Sequence, residues 1–146
     1  MIKILKIKDA IYENFQEKTI IPTEYDKNGN PTKFEERYTF NLTLDELKEA
    51  VKDTILWLEK QRFNQIFSKY GYISLSDVTL YANKQNDPNQ AEAQAILNWY
   101  ISYDSKIWDF IGTLQKYTDI DSLYALDIRQ TEEELFNQTK TTLPPE

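Results

Sequence analysis

Between Leu44 and Tyr70 the apolar side chains recur every three or four residues, which is the spacing of one face of an α-helix. Thr43 and Glu46 form a capping-box pattern at its start, and Gly71 stands where a helix favours glycine after its end. The pattern predicts a helix of about 26 residues, with Glu59 on its polar side. The apolar stripe is widened by four aromatic residues, namely Trp57, Phe63, Phe67 and Tyr70.

Two more helices are predicted after Gly71. Ser74 and Asp77 repeat the capping-box pattern and open a short helix. Asp87 followed by Pro88 is typical of the start of a helix, because proline is tolerated at the first helical position. We expect the helix that follows to be long and to fade near Tyr117. Its apolar positions are Ala95, Ile96, Trp99, Tyr100, Tyr103, Ile107, Phe110, Ile111 and Leu114.

The last part of the chain is more broken. Residues 119–126 predict one or two helical turns. Thr131 and Glu134 form a third capping-box pattern, which predicts a short helix ending near Gln138. Residues 143–146, with two prolines, predict a loose tail.

The N-terminal part shows the two-residue alternation of strands instead. Residues 2–8 alternate apolar and basic side chains, which predicts a short strand. Asn28 and Gly29 suit a turn with positive φ, and they lie between two β-prone stretches. We therefore expect a hairpin around this turn, joined by the first strand. Because a lone two-stranded hairpin is marginal in water, it should lean on the helices or on a partner.

These elements predict an α+β fold that is predominantly α. An N-terminal β-hairpin (residues 1–42) precedes an antiparallel helical bundle with two long helices (43–118) and an acidic C-terminal segment with a short helix (119–146). At 146 residues, the three segments fit one folding unit.

Composition argues against an enzyme. The chain has no histidine and no cysteine, so it lacks the commonest general base, the thiol nucleophile and the usual zinc ligands. With three glycines in all, a glycine-rich phosphate loop is excluded. We predict no catalytic residues and no cofactor.

Carboxylate pairs give no clear metal site. Asp104 and Asp109 are five residues apart, so they point about 140° apart round a helix. Asp119 and Asp121 resemble the start of a calcium loop but lack the Asp/Asn and Gly that should follow, and helix capping explains them better. We therefore predict no metal.

The formal charge of −7 is concentrated at the C-terminal end. Residues 119–146 carry seven acids against Arg129 and Lys140, a net charge of −5. Nucleic-acid binders need the opposite sign, so we predict no direct contact with DNA or RNA. The acidic side chains are instead candidates for binding a protein partner; they are Asp119, Asp121, Asp127, Glu132, Glu133 and Glu134.

Trp99 and Trp108 are the other candidates for partner binding. They are nine residues apart, which places them about 180° apart on an ideal helix. Both cannot enter one core, so one should face a second helix layer, a partner or solvent. Core packing is the simpler explanation for each tryptophan taken alone, but an exposed tryptophan would mark an interface.

Residues 70–78, YGYISLSDV, followed by 91–99, AEAQAILNW, and then Trp108 carry a family resemblance. Together they resemble the helical part of small tail-associated proteins of bacteriophages and prophages. The resemblance covers about residues 43–118 and departs after Tyr117, where this chain continues into its acidic end. It implies a non-enzymatic role in tail structure or assembly, with another protein as partner and self-association left open.

A phage origin also allows a second role. Small acidic prophage proteins include anti-CRISPR inhibitors, some of which occupy the basic channel of an effector nuclease. The acidic end could provide the electrostatic complementarity for such a contact. We find no secretory signal and no apolar run long enough for a membrane span. The expected location is the cytoplasm of a bacterial host, or the virion in the tail-associated case.

Overall fold

A computed structural model describes residues 1–145. The chain forms four strands followed by five helices, with 3₁₀ turns at Leu114–Lys116 and Lys140–Thr142. The strands are β1 (Ile4–Ile7), β2 (Ala10–Glu13), β3 (Lys18–Tyr25) and β4 (Pro31–Tyr38). The helices are α1 (Leu44–Lys69), α2 (Leu75–Ala82), α3 (Gln90–Thr113), α4 (Ile120–Tyr124) and α5 (Ile128–Thr139). The predicted fold class, α+β and mainly α with two long helices, is confirmed.

Local capping chemistry explains where α1 begins and ends. The backbone N–H of Glu46 donates to Thr43 Oγ1 over 3.1 Å, and the N–H of Thr43 donates to Glu46 Oε1 over 3.0 Å. This reciprocal pair satisfies two donors that a helix start leaves without partners. At the other end Gly71 has φ +87°, a conformation that glycine adopts without strain. Both predicted boundaries of α1 are confirmed.

The long helices α1 and α3 are antiparallel. The ring of Phe63 lies 4.5 Å from that of Tyr100, whereas Lys52, earlier in α1, lies beside Trp108, later in α3. Helix α5 packs against both long helices. Trp99 and Tyr103 stack at the centre of this group, with ring centroids 5.2 Å apart. The main core is thus helical and aromatic.

The first strand does not join the hairpin around Gly29. It pairs antiparallel with β2, with Ile4 opposite Glu13 and Ile7 opposite Ala10. The chain reverses at Lys8, whose φ of +57° permits a tight turn. The predicted hairpin around Asn28 and Gly29 is confirmed, but the prediction that the first strand joins it was wrong, since residues 10–13 supply the first strand's partner. The N-terminal region therefore contains two separate hairpins.

Strand β1 attaches its hairpin to the helices. Its backbone N–H at Lys6 donates to Thr54 Oγ1 of α1 over 2.7 Å. Ile2, Ile4 and Leu5 are all buried in the common core. The first hairpin is therefore part of the body of the protein, which here means every described residue outside 18–38.

Two predicted boundaries shift. Helix α3 begins at Gln90, while Asp87 accepts a hydrogen bond from the N–H of Asn89 in the turn before it. Helix α5 begins at Ile128, capped by Asp127, so Thr131 lies inside it and is not its cap. Burial of Ile128 in the core favours this earlier start.

The segment predicted as a loose tail is partly attached. The hydroxyl of Tyr70 donates to the carbonyl of Pro144 over 2.7 Å, and Leu143 packs against the core. Glu146 lies outside the described residues. Among residues 1–145, no helix is long and apolar enough to cross a membrane.

Candidate functional site

The second hairpin, β3 and β4 with their connecting turn, forms an arm (residues 18–38). None of the sixteen strand residues is buried, and three are half-buried. The two strands make their main contacts with each other. At the base, the rings of Tyr38 and Tyr124 stack in near-parallel planes with centroids 4.4 Å apart. The arm therefore extends from the body, and this stack secures its base.

One face of the arm is apolar although it is exposed to solvent. Pro22 lies opposite Phe34, and Ile20 lies opposite Glu36. Because partners and alternate residues share a face of a strand pair, Ile20, Pro22 and Phe34 lie on one side, together with Glu36. Ile20 is 67% exposed and Phe34 61% exposed. Two large exposed apolar side chains on one face of a projecting hairpin make this face a candidate interaction surface.

The turn at the end of the arm is ordered by a local hydrogen-bond network. The carboxylate of Asp26 accepts from the backbone N–H groups of Asn28 and Asn30 over 2.8 and 2.9 Å. These bonds, chiefly the one from Asn30, lower the pKa of Asp26. Gly29 supplies the positive φ of +82° that the turn needs. The turn is thus ordered by contacts within residues 26–30.

The two tryptophans of α3 lie on opposite sides, as their spacing predicts. Trp99 is fully buried, whereas Trp108 is 48% exposed, with Lys52 Nζ 5.8 Å from its ring centre. Trp99 is therefore withdrawn from the candidate contact residues, because its ring belongs to the core. Trp108 remains a candidate, on a helix face that also exposes Ile101.

Helix α2 provides a third exposed apolar surface. Leu80 and the neighbouring Ile73 are exposed. A shallow depression along the helix is lined by Leu75, Leu80 and the aliphatic part of Lys84, among others.

Some of the acidic side chains predicted as a partner surface make internal contacts. Asp119 caps α4 by accepting from the N–H of Ser122 over 2.8 Å, and Asp127 caps α5 in the same way. Asp119 is exposed although it caps a helix, and Asp121, Glu133 and Glu134 are exposed as well. The exposed acidic side chains thus include one that also stabilises a helix start.

Glu132 is buried and paired, which the sequence pattern did not indicate. Its carboxylate receives two bonds from the guanidinium of Arg62, over 2.7 and 2.9 Å. The hydroxyl of Tyr103 donates to it over 2.6 Å, and burial together with this contact raises the pKa of Tyr103. The three side chains tie α5 to α1 and α3. Glu132 is therefore also withdrawn from the candidate surface.

Glu59, expected on the polar side of α1, is 6% exposed. Burial raises its pKa to about 9, with a further contribution from a hydrogen bond to Asp104. One carboxyl oxygen is out of contact with solvent and without a hydrogen-bond partner. The group is protonated at neutral pH and enclosed, so its position does not suit proton exchange with a substrate. Helix α3 covers this side of α1, which periodicity within α1 alone could not indicate.

Among residues 1–145, no group of three or more Asp, Glu, His or Cys side chains could hold a metal ion. The structure instead exposes several apolar surfaces. Of these, the one on the arm lies on an element that extends from the body. No protein-family model, no curated protein and no solved structure matches the chain.

Proposed function

We propose that this protein acts by protein–protein contact through the arm, as a small tail-associated structural or assembly protein of a bacteriophage or prophage. The observation that carries the proposal is the exposure of Ile20 and Phe34 on one face of a hairpin that extends from the body. In this role the protein works without catalysis, in the bacterial cytoplasm or within the virion.

The energetics of a lone hairpin support this proposal. Two strands without a third layer are marginally stable in water. Covering the side chains of Ile20 and Phe34 would contribute roughly 1.5–3 kcal/mol for each one fully buried. Binding of a partner would therefore stabilise the arm more than the body, because the body already has its own aromatic core.

The tail-associated class is supported by the resemblance of residues 43–118. That stretch contains a long helix ending at Gly71, a short helix capped by Ser74 and a long helix bearing Trp99. This is the order of elements that the resemblance implies. The resemblance supports a structural protein as the partner, and it implies no particular site residues.

Co-purification from a lysogenic bacterial host tests the proposal. The variant I20S/F34S removes the two large apolar side chains of the arm. The matched control I73S/L80S makes the same kind of change on the exposed surface of α2. We expect wild type and the control to recover tail proteins and the arm variant to lose them, with an affinity at least about tenfold weaker, since apolar anchors contribute a kcal/mol or more.

The opposite pattern would contradict the arm proposal. If the control variant loses the tail proteins and the arm variant keeps them, α2 is the contact surface. Recovery of no tail protein by wild type would remove the tail-associated class itself.

An anti-CRISPR role is the second proposal, supported by the exposed carboxylates of Asp121, Glu133 and Glu134. Because Asp119 and Asp127 are caps and Glu132 is buried, the support is weaker than the acidic sequence implies. The test is a DNA-cleavage assay with a CRISPR effector from the host and excess protein. Undiminished cleavage, with no complex on gel filtration, would exclude this role for that effector.

A further inference from the structure

The outer edge of β4 has backbone groups free for another strand. The N–H of Thr39 donates to the carbonyl of Glu17 over 2.9 Å, which identifies these residues as a hydrogen-bonded pair between the strand ends. Hydrogen-bonded and non-bonded pairs alternate along an antiparallel ladder. The register therefore turns the N–H and C=O groups of Tyr38, Glu36 and Phe34 away from β3.

The outer edge of β3 is less suited to pairing. By the same alternation Pro22 turns its backbone outward, and proline has no N–H to donate. The register also shifts between Pro22 and Glu24, where the strand carries an irregularity. Both features are devices that discourage a further strand. Strand β4 is thus the edge of the arm that remains open.

We infer that two copies of this chain pair through β4, antiparallel and centred on Phe34, to form a four-stranded sheet from two arms. In this register Lys33 of each copy lies opposite Glu35 of the other. The inference rests on the proposed function in that both use the arm, but the paired edge and the apolar face are different surfaces.

Of the four axis positions at the middle of β4, Lys33 to Glu36, the charges favour Phe34. A two-fold axis between adjacent antiparallel strands must place some residue opposite its own copy. With Glu35 at the axis, Glu35 would oppose Glu35 and Lys33 would oppose Arg37. With Glu36 at the axis, Glu36 would oppose Glu36, and with Lys33 there, Lys33 would oppose Lys33. Like charges directly opposite are destabilising, and among these four positions only the axis at Phe34 avoids them, although the axis at Glu36 would also place Glu35 opposite Arg37.

In the favoured register, two contacts within one arm would continue across to the second copy. Lys33 Nζ lies 3.3 Å from a carboxylate oxygen of Glu24 on β3. Pairing would place this ammonium between Glu24 and Glu35 of the second copy. On the opposite face, Pro22 and Phe34 of both copies would form one apolar row across the sheet. Such a row doubles the apolar face and leaves it open for a different partner.

Sedimentation of the purified full chain tests the inference by charge reversal. K33E places glutamate opposite Glu35, and E35K places lysine opposite Lys33. We expect wild type to dimerise and each single variant to dissociate with a dissociation constant at least about tenfold higher, since each dimer contains two reversed pairs. K27E, the same charge change in the turn outside the register, should dimerise as wild type does.

Mixing the two single variants gives the decisive measurement. A K33E chain facing an E35K chain has opposite charges at both positions, so the mixture should form a heterodimer although neither variant dimerises alone. The double variant K33E/E35K should likewise dimerise, even though it disturbs the contacts of residue 33 with Glu24 and of residue 35 with Arg37 within each arm. A merely structural effect of the substitutions would not be rescued in this way.

Three results would overturn the inference: a monomeric wild type at several hundred micromolar, a K33E variant that dimerises like wild type, or a mixture that stays monomeric. Far-ultraviolet circular dichroism of each variant checks that the helical body is folded. Because only one purified chain is used, these results are independent of whether tail proteins are captured. Loss of dimerisation with capture retained would thus refute the pairing and leave the proposed function standing.

Discussion

The ring of Tyr38, the last residue of β4, stacks on the ring of Tyr124 in α4 with an interplanar angle of 10°. This contact joins an exposed arm to a buried residue of the core. Lys18 Nζ lies 4.9 Å from the centre of the Tyr38 ring on the arm side. The base of the arm is therefore held in part by this aromatic pair and by the cation beside it.

We predict that Y38A loosens the arm and leaves the body nearly unchanged. An aromatic pair contributes about 0.5–1.5 kcal/mol beyond its buried area. Hydrogen exchange measured by mass spectrometry should show faster exchange across residues 18–38 and unchanged exchange in α1. Y25A, at the exposed end of the arm, is the control and should leave both regions as they are. Equal acceleration in α1 would show that arm and body unfold together.

We predict that E132Q is strongly destabilising. Arg62 is largely buried and its guanidinium lies 4.1 Å from the ring centre of Phe136, so loss of the carboxylate leaves a charge with little access to water. Breaking a buried pair in this way costs about 3–5 kcal/mol. Urea unfolding followed by circular dichroism measures the change, and E133Q, one residue on and exposed, should shift stability by less than about 0.5 kcal/mol.

The double variant R62M/E132L separates two explanations of that loss. If the uncompensated charge is the cause, removing both charges should recover much of the stability. A double variant as unstable as E132Q would point to the packing of Arg62 on Phe136 instead.

We predict that stability falls as pH rises from about 5 to 9, and that Glu59 causes part of the fall. Its pKa is raised from 4.5 to about 9 in the folded protein. Between these values the folded state retains a proton that the unfolded state releases, so the free energy of unfolding decreases by at most about 1.4 kcal/mol per pH unit from this group. Below the lower value both states are protonated, and the contribution is constant.

E59Q should therefore flatten the pH dependence and stabilise the protein at pH 8 relative to wild type. Urea unfolding at pH 5.5 and pH 8 gives the comparison. E49Q, an exposed position on the same helix, is the control and should retain the wild-type slope. An unchanged slope in E59Q would show that Glu59 titrates normally.

We predict opposite behaviour for the two tryptophans of α3. W99A removes a fully buried ring that stacks on Tyr103 and should cost about 3–5 kcal/mol. W108A should cost less than about 1 kcal/mol, because its ring is half-exposed. Thermal unfolding measures both, and a W108A loss as large as that of W99A would place Trp108 in the core.

The features predicted correctly from the sequence are those with local causes. The capping pair of Thr43 and Glu46 acts within one helical turn, and Gly71 acts through its own backbone. The opposition of Trp99 and Trp108 follows from the helical repeat alone. Each of these needs no knowledge of what the helix packs against.

The wrong or missing predictions all depend on contacts distant in sequence. The alternation in β1 does not determine whether this strand pairs with β2 or with the second hairpin. In the structure it pairs with β2 and also contacts α1. Glu132 resembles a surface residue until Arg62, seventy positions away, is placed beside it. Glu59 resembles a polar-face residue until α3 covers it. The sequence likewise does not determine whether the arm packs on the helices or on a partner.

The stack at Tyr38 also allows the distance between the two arm bases in the inferred dimer to be calculated. Tyr38 lies four residues from Phe34, where the two-fold axis would pass. In the dimer, Tyr38 of the second copy would lie four residues beyond this axis in the opposite direction. At about 3.3 Å per residue, the two anchoring stacks would lie roughly 26 Å apart along the sheet. The hairpin would then serve as a molecular ruler, which sets a fixed spacing between neighbouring helical bodies without requiring those bodies to touch.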